Sequence, residues 1–336
     1  MATPGVTVST AAADATALPM LAVVVIARNE EENIATCLEA ALAAVRDLDC
    51  GEIVLVDSNS TDRTVEVARN YPISILRYRA ERPTAAAGRR IGFAHVRARY
   101  VLFLDGDCCV EPGFIEEALK TFAGRADAAV VYGSRRDVTP GEDEHAVRPI
   151  HRSLGGNALY RAEALSRVGS FHPYIIGEEE GELLGRLRAA GYRAIRTERL
   201  MITHHTEAVQ TVGGFLQRHR RGLRNGTGQV LRLSLGQGLF WYHARRLNRY
   251  LLTLSFMALG VVLAAGGLIA GTPVPLLLWV AAAVGAFVLL WIKRRSLRNA
   301  SYIVADWVTV ALSLGSGFLR APPPAASFSP ALERLK

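Results

Sequence analysis

Residues 101–108 read VLFLDGDC, and this stretch decides the fold. Four apolar residues, typical of a buried strand, lead into two carboxylates, Asp105 and Asp107, that flank Gly106. Glycine permits a tight turn and a close approach of the backbone to a ligand. Carboxylate oxygens are ligands that Mg²⁺ and Mn²⁺ prefer, and such a cation can bridge a diphosphate. A D-x-D pattern is common in turns, but its place directly after an apolar strand favours a ligand site.

The segments before this stretch alternate between short apolar runs and helical periodicity. The alternation predicts an α/β fold with a doubly wound, Rossmann-like, mainly parallel sheet. The second predicted strand runs into Asp57 and the fourth into Asp105. Because ligands bind beyond the carboxyl ends of such strands, we expect both acids at one site, although Asp also commonly opens a turn. The predicted strands are 21–27, 53–56, 73–76 and 101–104, and the predicted helices are 34–45, 60–68 and 84–97.

The charge distribution separates two parts of the chain. The 336 residues are half hydrophobic and carry 39 basic against 31 acidic side chains, a net charge of +8. No Asp or Glu occurs between Ala208 and Ala305, a stretch with twelve Arg and Lys, so the rest of the chain is net acidic. A nucleic-acid-binding protein would be basic in its folded domain, and we therefore expect no nucleic-acid partner. Four cysteines without C-x-x-C spacing favour a reducing compartment.

The tail contains two long uncharged apolar segments. Residues 250–270 would span about 31 Å as a helix, close to the bilayer core of about 30 Å. Residues 276–292 return after a turn rich in Gly and Pro. Basic clusters flank the pair, so the positive-inside rule predicts a transmembrane helical hairpin with both clusters in the cytoplasm. The alternative is a buried helical pair in a soluble protein. The basic residues are Arg245, Arg246, Arg249, Lys293, Arg294, Arg295 and Arg298.

A third apolar segment, 302–319, also carries a polar stripe at spacings of three and four. A span exposed to lipid would not keep such a stripe. We therefore predict an interfacial amphipathic helix over 301–320 with the stripe turned toward water, and a third span is the alternative. The stripe consists of Asp306, Thr309, Ser313, Ser316 and Arg320.

Several ordered motifs resemble those of the family 2 glycosyltransferases of the GT-A fold, over roughly residues 21–226. ARNE at 27–30 is similar to the start of the family's nucleotide pocket, and VDSNSTD at 56–62 is similar to its VDDGSTD segment. GRRIG at 88–92 resembles the G-R-N-x-G segment, and the DGD at 105–107 matches the family's D-x-D. The nucleotide-sugar-binding residues that the resemblance implies are Ala27, Asn29, Glu30, Asp57, Arg89, Asp105, Gly106, Gly156 and Asn157.

Downstream, EEGEL at 179–183 resembles the family's motif ED-x-D-L, which contains the catalytic base. That register places the base at Glu180, with Glu179 and Glu178 as alternatives because Glu stands where Asp is usual. A base is needed to take the acceptor proton, and clustered carboxylates raise at least one pKa through repulsion. The structural alternative is that these acids satisfy the positive end of a helix.

The resemblance also implies residues for the metal and the diphosphate. Asp105, Asp107 and His204 would bind Mn²⁺ or Mg²⁺. Arg220 and Arg221 would neutralise the diphosphate, although a patch for lipid headgroups is the alternative for this basic run.

These observations predict a membrane-anchored enzyme that transfers a sugar from a UDP- or GDP-sugar to a lipid-linked or glycan acceptor, in exopolysaccharide or glycolipid assembly. A dedicated base favours inversion, and two spans favour non-processive transfer. We expect the catalytic domain on the cytoplasmic side of the inner membrane. The alternatives are a polyprenyl-phosphate glycosyltransferase and a catalytically inactive nucleotide-binding membrane scaffold. The predicted parts are a disordered N-terminus (1–18), a GT-A domain (19–232), a basic juxtamembrane segment (233–249), the hairpin (250–292), the interfacial helix (301–320) and a tail (321–336).

Overall fold

The computed structural model describes residues 18–138, 150–151, 154–205 and 222–336. Ten strands in these residues form one mixed sheet. Its spatial order is β10-β3-β2-β1-β4-β8-β6-β9-β5, with β7 paired to β6. The strands are β1 (Leu21–Ala27), β2 (Cys50–Asp57), β3 (Ser74–Arg79), β4 (Tyr100–Asp105), β5 (Cys108–Val110), β6 (Ala128–Val138), β7 (Ile150–His151), β8 (Ala158–Arg161), β9 (Arg193–His205) and β10 (Ala331–Arg334).

Helices lie on both faces of the sheet and continue past it toward the C-terminus. The helices are α1 (Ile34–Val45), α2 (Thr64–Ala68), α3 (Ala85–His95), α4 (Phe114–Gly124), α5 (Ala162–Val168), α6 (Glu179–Ala189), α7 (Gly226–Gly236), α8 (Phe240–Arg246), α9 (Asn248–Ile269), α10 (Val274–Arg294) and α11 (Leu297–Leu319).

The predicted doubly wound α/β fold is confirmed. All seven residues of β1 are buried, as expected for a central strand covered on both faces. Strand β1 pairs in parallel with β2 and β4, and β2 pairs in parallel with β3. Beyond β4 the sheet becomes mixed, because β8 runs antiparallel to both β4 and β6. Two apolar layers result, one under α1, α2 and α4 and the other under α3, α5 and α6.

Helix α3 lies unusually close to the sheet. The Thr84 hydroxyl caps the helix by accepting a hydrogen bond from the Ala87 N–H at 3.0 Å. A Cβ at Gly92 would lie only 2.2 Å from a methyl group of Val24, so the helix can sit this low only with glycine there. The close approach brings the preceding turn of α3, which carries Arg89, to the edge of the sheet where β4 ends.

A C-terminal strand completes the outer edge of the sheet. β10 pairs antiparallel with β3, with Leu332 opposite Tyr78. The segment before β10 also contacts the α/β domain, since Phe328 packs edge-to-face on Tyr174 with 5.7 Å between ring centroids. The tail therefore returns from the apolar helices to the α/β domain.

On length and composition alone, three helices among the described residues are apolar enough to cross a bilayer, namely α9, α10 and α11. Helices α9 and α10 correspond to the two predicted hairpin segments, and few of their residues are buried within the protein. Helix α11 is less apolar and more buried, with a mean hydropathy of 1.5 against 2.2 and 2.3.

Part of the polar stripe of α11 contacts the α/β domain instead of facing open water. The Arg224 guanidinium lies 2.9 Å from the Asp306 carboxylate, and the Ser316 hydroxyl donates to the Asn225 side chain at 2.9 Å. The physical reason is close backbone packing, because a Cβ at Gly317 would lie 2.2 Å from the Asn225 carbonyl oxygen. The stripe thus joins α11 to the start of α7.

We expect Gly92→Ala to lower the free energy of unfolding by about 1–3 kcal/mol, because the added methyl would overlap Val24 and force α3 off the sheet. The matched control is Gly124→Ala at the end of α4, where an added Cβ meets no atom within 4 Å. Thermal unfolding of both variants of the full chain in detergent, followed by circular dichroism, checks this. Equal melting temperatures for the two variants would contradict the close packing.

Candidate active site

Two acidic residues that are far apart in sequence lie at the same edge of the sheet. In the strand register, Ala27 at the end of β1 pairs with Asp57 on β2, and Ile26 pairs with Asp105 on β4. Because β1 lies between the other two strands, the three carboxyl ends form one shelf. This is the edge at which open α/β sheets bind ligands.

The loops after β1 and β2 hold each other through side chain to backbone hydrogen bonds. Asn29 and Asn59 both adopt left-handed backbone conformations, with φ of 58° and 59°, which Asn tolerates better than most residues. The side-chain oxygen of Asn29 (Oδ1) accepts a hydrogen bond from the Thr61 N–H at 2.9 Å, and the backbone N–H of Asn29 donates to the Ser60 hydroxyl at 2.9 Å. Asn29 therefore shapes one wall of the shelf.

The Asp57 carboxylate is fully buried. Arg77 donates to it at 3.0 Å, and the Ser60 N–H donates to both of its oxygens at 3.1 and 3.3 Å. In this structure Asp57 stabilises the loop that follows β2. The partner Arg77 carried no recognisable motif in the sequence, and only the parallel pairing of β2 with β3 reveals it.

Both oxygens of Asp105 are held by side chains from distant segments. Arg89 on α3 donates to one oxygen at 2.7 Å, and the Asn157 amide donates to the other at 3.0 Å. The side-chain oxygen of Asn157 (Oδ1) in turn accepts a hydrogen bond from the Asp105 N–H at 2.7 Å. Two predicted site residues, Arg89 and Asn157, thus both contact a third, Asp105.

The Arg89 side chain is only 2% exposed and lies among carboxylates. Burial would lower the pKa of this guanidinium, but Asp105, Glu180 and Glu179 outweigh that effect and raise it. A Cβ at Gly156 would lie within the guanidinium, so glycine leaves the space that Arg89 fills. The predicted Arg89 and Gly156 are therefore brought together, but as parts of the buried frame behind Asp105.

The acidic residues around the start of α6 have different partners. Glu182 forms a two-pronged ion pair with Arg186, at 2.5 and 2.7 Å. Glu178 pairs with Arg246 of α8 at 2.5 Å, although the sequence placed that arginine at the membrane. Glu179 accepts from Arg89 at 3.1 Å. The Glu180 carboxylate lies farther from the same guanidinium, at 3.6 Å.

Glu180 has the most altered acidity of this group. Burial and the neighbouring Glu179 carboxylate raise its pKa from 4.5 to about 8. The side chain is nevertheless 17% exposed, against 10% for Glu179. A carboxylate that is reachable and basic can accept a proton from a bound hydroxyl.

Asp107 and His204 form a second cluster beside the shelf. The His204 Nε2 atom lies 3.2 Å from the Asp107 carboxylate, and the Cys108 thiol contacts the other oxygen at 3.3 Å. Burial disfavours the charged imidazole, but hydrogen bonds to Asp107 and Asp137 raise the pKa of His204 to about 9. Asp137 carried no motif and was missed by the sequence prediction.

The donor atoms of this cluster fit a divalent cation. Ligand atoms of Asp107, Cys108 and His204 all lie within 4.8 Å of one another. Burial, with further repulsion from Asp107 and Asp105, raises the pKa of the Cys108 thiol well above 9, so it remains a neutral donor to Asp107. The Asp107 carboxylate and the His204 imidazole are then the groups that can bind the cation, and both suit Mn²⁺.

Glu30 extends the acidic cluster. Burial raises the pKa of this carboxyl to about 7, with smaller contributions from Asp107 and Asp105 and an opposing hydrogen bond from Asn33. Gly106 packs against the same corner, where an added Cβ would lie 3.0 Å from the Ala27 methyl group. The predicted Arg220 and Arg221 lie outside the described residues.

Comparison with known proteins identifies the domain that contains this site. Residues 22–176 match the profile "Glycosyl transferase family 2". The domain belongs to glycosyltransferase family 2. The match contains the loops after β1 and β2, Arg89, the D-x-D turn and Asn157, and ends just before Glu178.

Two curated relatives of this glycosyltransferase come from Haloferax volcanii. Glycosyltransferase AglE is 23% identical over 230 residues, which are 63% of this chain and 74% of that protein. The low-salt glycan biosynthesis hexosyltransferase Agl6 is 31% identical over 155 residues, which are 44% of this chain but only 34% of the length of that protein.

A solved structure has the same fold as this glycosyltransferase. The mannosyltransferase PcManGT from Pyrobaculum calidifontis, determined in complex with GDP-Man and Mn²⁺, superposes with a TM-score of 0.62. The superposition covers 91% of this chain and 88% of that chain at 19% identity. The likeness confirms the GT-A fold.

We expect Glu180→Gln to stabilise the protein increasingly as the pH rises from about 4.5 to about 8. Glu180 ionises in the unfolded chain at lower pH than in the folded one, so its protonated form stabilises the fold and this contribution is lost across that window. Above pH 8 the variant should melt at least about 2–4 °C higher than the parent. Thermal unfolding at several pH values checks this, with the exposed Glu116→Gln as control. A pH-independent difference would show that Glu180 titrates normally.

Proposed function

We propose that this chain transfers a sugar from a nucleotide-diphosphate sugar to a hydroxyl acceptor at a membrane, with a divalent cation and with inversion at the anomeric carbon. The observation that carries the proposal is the pair of contacts made by the buried Arg89 guanidinium. It lies 2.7 Å from Asp105, on the donor side, and 3.6 Å from Glu180, the proposed base. One side chain therefore joins the two halves of the reaction. Membership of family 2 supports a nucleotide-sugar donor.

The donor would lie on the shelf formed by the ends of β1, β2 and β4. Gly106 lets the D-x-D turn pack closely against Ala27, and Asn29 shapes the loop beside it. The Arg89 guanidinium is engaged with the carboxylates of Asp105 and Glu179, so we assign it to orienting Asp105. Gly156 makes room for that arginine. The residues we propose to contact the nucleotide-sugar are Ala27, Asn29, Glu30, Asp57, Asp105, Gly106 and Asn157.

Asp105, Asp107 and His204 would hold the cation. When bound, it would supply positive charge to the diphosphate that leaves. Mg²⁺ favours an all-oxygen shell, whereas imidazole is an acceptable ligand for Mn²⁺, so we propose Mn²⁺ as the better cofactor. We assign Arg220 and Arg221 to the diphosphate as well, from their motif alone.

Glu180 would take the proton from the acceptor hydroxyl. Its raised pKa makes it a stronger base than an ordinary carboxylate, and its longer distance from Arg89 leaves it freer than Glu179 to receive the proton. Glu179 holds Arg89 in place. A base that activates the acceptor on the face opposite the leaving group gives inversion.

We propose that the acceptor is lipid-linked or a glycan close to the membrane, in the assembly of exopolysaccharide or glycolipid. The support is the connection between the site and the apolar helices. Arg246, two residues before α9 begins, pairs with Glu178 at the start of α6. The runner-up is a polyprenyl-phosphate acceptor, whose phosphate oxygen needs no base.

Strand pairing also bears on the membrane topology. If α9 and α10 both cross the bilayer, α10 ends on the side of the catalytic domain. β10 follows α11 and pairs with β3 of that same domain, which supports a placement of both ends of α11 on this side. The pairing thereby favours an even number of crossings. We propose that α9 and α10 form the transmembrane hairpin, that α11 lies in the interface, and that the catalytic domain faces the cytoplasm at the inner membrane.

Turnover of nucleotide-sugars by the purified full chain tests the function. With Mn²⁺ we expect one UDP- or GDP-sugar to be consumed, and GDP-mannose is the first to try because the mannosyltransferase of the same fold was solved with it. Asp107→Asn should lower turnover by about 10²-fold or more, since it removes a cation ligand. Glu180→Gln should lower transfer to a hydroxyl by about 10²–10⁴-fold while donor affinity remains unchanged.

The matched controls are Asp127→Asn and Glu116→Gln, which lie outside the site and should retain parental rates. Full activity of Glu180→Gln on a polyprenyl phosphate would favour the runner-up. Absence of both turnover and thermal stabilisation with every UDP- and GDP-sugar would favour an inactive scaffold.

Cysteine labelling tests the topology. A single cysteine at Thr272, between α9 and α10, should react with an impermeant maleimide added to intact cells, because this turn lies on the far side of the bilayer. A single cysteine at Ser327, just before β10, should react only after permeabilisation. Labelling of Ser327 from outside would mean that α11 crosses the bilayer and that β10 does not pair with β3.

A further inference from the structure

His204 lies between two carboxylates that come from different strands. It is on β9, which runs antiparallel to β5 and parallel to β6. In the register of β6 with β9, Asp137 is directly opposite His204. On the other side, Asp107 is in the turn between β4 and β5. The sheet itself thus places one acid on each side of the imidazole ring.

Each nitrogen of the ring has a different partner. The Nδ1 atom lies 2.9 Å from a carboxylate oxygen of Asp137, and the Nε2 atom lies 3.2 Å from Asp107. Both carboxylates can only accept hydrogen bonds, and the shorter contact is the one at Nδ1, so we place the proton on Nδ1, where it is donated to Asp137. The nitrogen left for a cation is then Nε2, on the side of Asp107.

We infer that Asp137 is a positioning residue for the cation site: it fixes the ring orientation and the tautomer of His204, so that Nε2 faces the site shared with Asp107. This inference rests on the proposed function of His204 as a cation ligand. Carboxylates that accept from the remote nitrogen of a ligating histidine also strengthen that ligand. Asp137 itself would not touch the cation.

A neighbouring arginine holds Asp137 in the required orientation. Arg135 lies two residues earlier on β6 and therefore on the same face of the strand. Its guanidinium donates to the other oxygen of Asp137 at 3.3 Å, and its Nε atom lies 2.9 Å from the oxygen that faces His204. Arg135 thus contacts both oxygens and fixes the orientation of the carboxylate. A purely structural alternative is that Asp137 only pairs with Arg135.

Titration of the full chain with Mn²⁺ alone, with free Mn²⁺ followed by electron paramagnetic resonance, separates these roles. Asp137→Asn keeps the size of the side chain but removes its charge, and we expect Mn²⁺ affinity to fall by about 10–100-fold. The matched control, Asp127→Asn, removes another arginine-paired aspartate, on the loop before β6, and should leave the affinity unchanged. Melting temperatures of all variants confirm that they are folded.

A double-mutant cycle with His204→Asn makes the test specific. If Asp137 acts through the ring, Asp137→Asn should cost no further Mn²⁺ affinity once His204 is replaced. Equal losses with and without His204, or parental affinity of the single Asp137→Asn variant, would overturn the positioning role alone. Failure of the parent protein to bind Mn²⁺ would instead overturn the proposed cation site, and this inference with it.

Discussion

The buried ion cluster around Arg89 is the interaction on which the site depends. An unpaired guanidinium inside a protein would be very unfavourable, so the carboxylates of Asp105 and Glu179 must stay within reach of it. That requirement places β4 and the first turn of α6 at fixed positions relative to α3. The cluster can form only because Gly92 lets α3 lie low on the sheet and Gly156 leaves space for the guanidinium.

Local partners give four similar glutamates different tasks. Glu182 and Arg186 stabilise α6, Glu178 joins that helix to α8, and Glu179 holds Arg89. Glu180 has a longer ionic contact, 3.6 Å from Arg89, and burial together with the Glu179 carboxylate raises its pKa. The burial and repulsion that make Glu180 basic also weaken the fold as the pH rises from about 4.5 to about 8. Stability and basicity are therefore opposed at this position, as is common at active sites.

The sequence predicted best what depends on local patterns. The strands that end in Asp57 and Asp105 were predicted because each is a short apolar run followed by an acid, and the two apolar helices because of their length. Asp137, Arg77 and β10 were missed because their roles depend on which strands pair, and no local pattern encodes pairing between segments that are far apart. Asp306 was expected to face water, but it pairs with Arg224, because a polar residue near a membrane can also pair with an adjacent part of the chain.

The pairing of β10 with β3 has a consequence for the order in which the protein is assembled. The ribosome makes β3 long before β10, and all three apolar helices are made in between. Until β10 arrives, β3 presents an open edge with unpaired backbone groups, the kind of surface on which strands of other chains can add. In the proposed topology, the tail returns to the side of the bilayer on which β3 lies, and β10 can then pair with it. In that topology the sheet of the α/β domain is completed only after the apolar helices have been made.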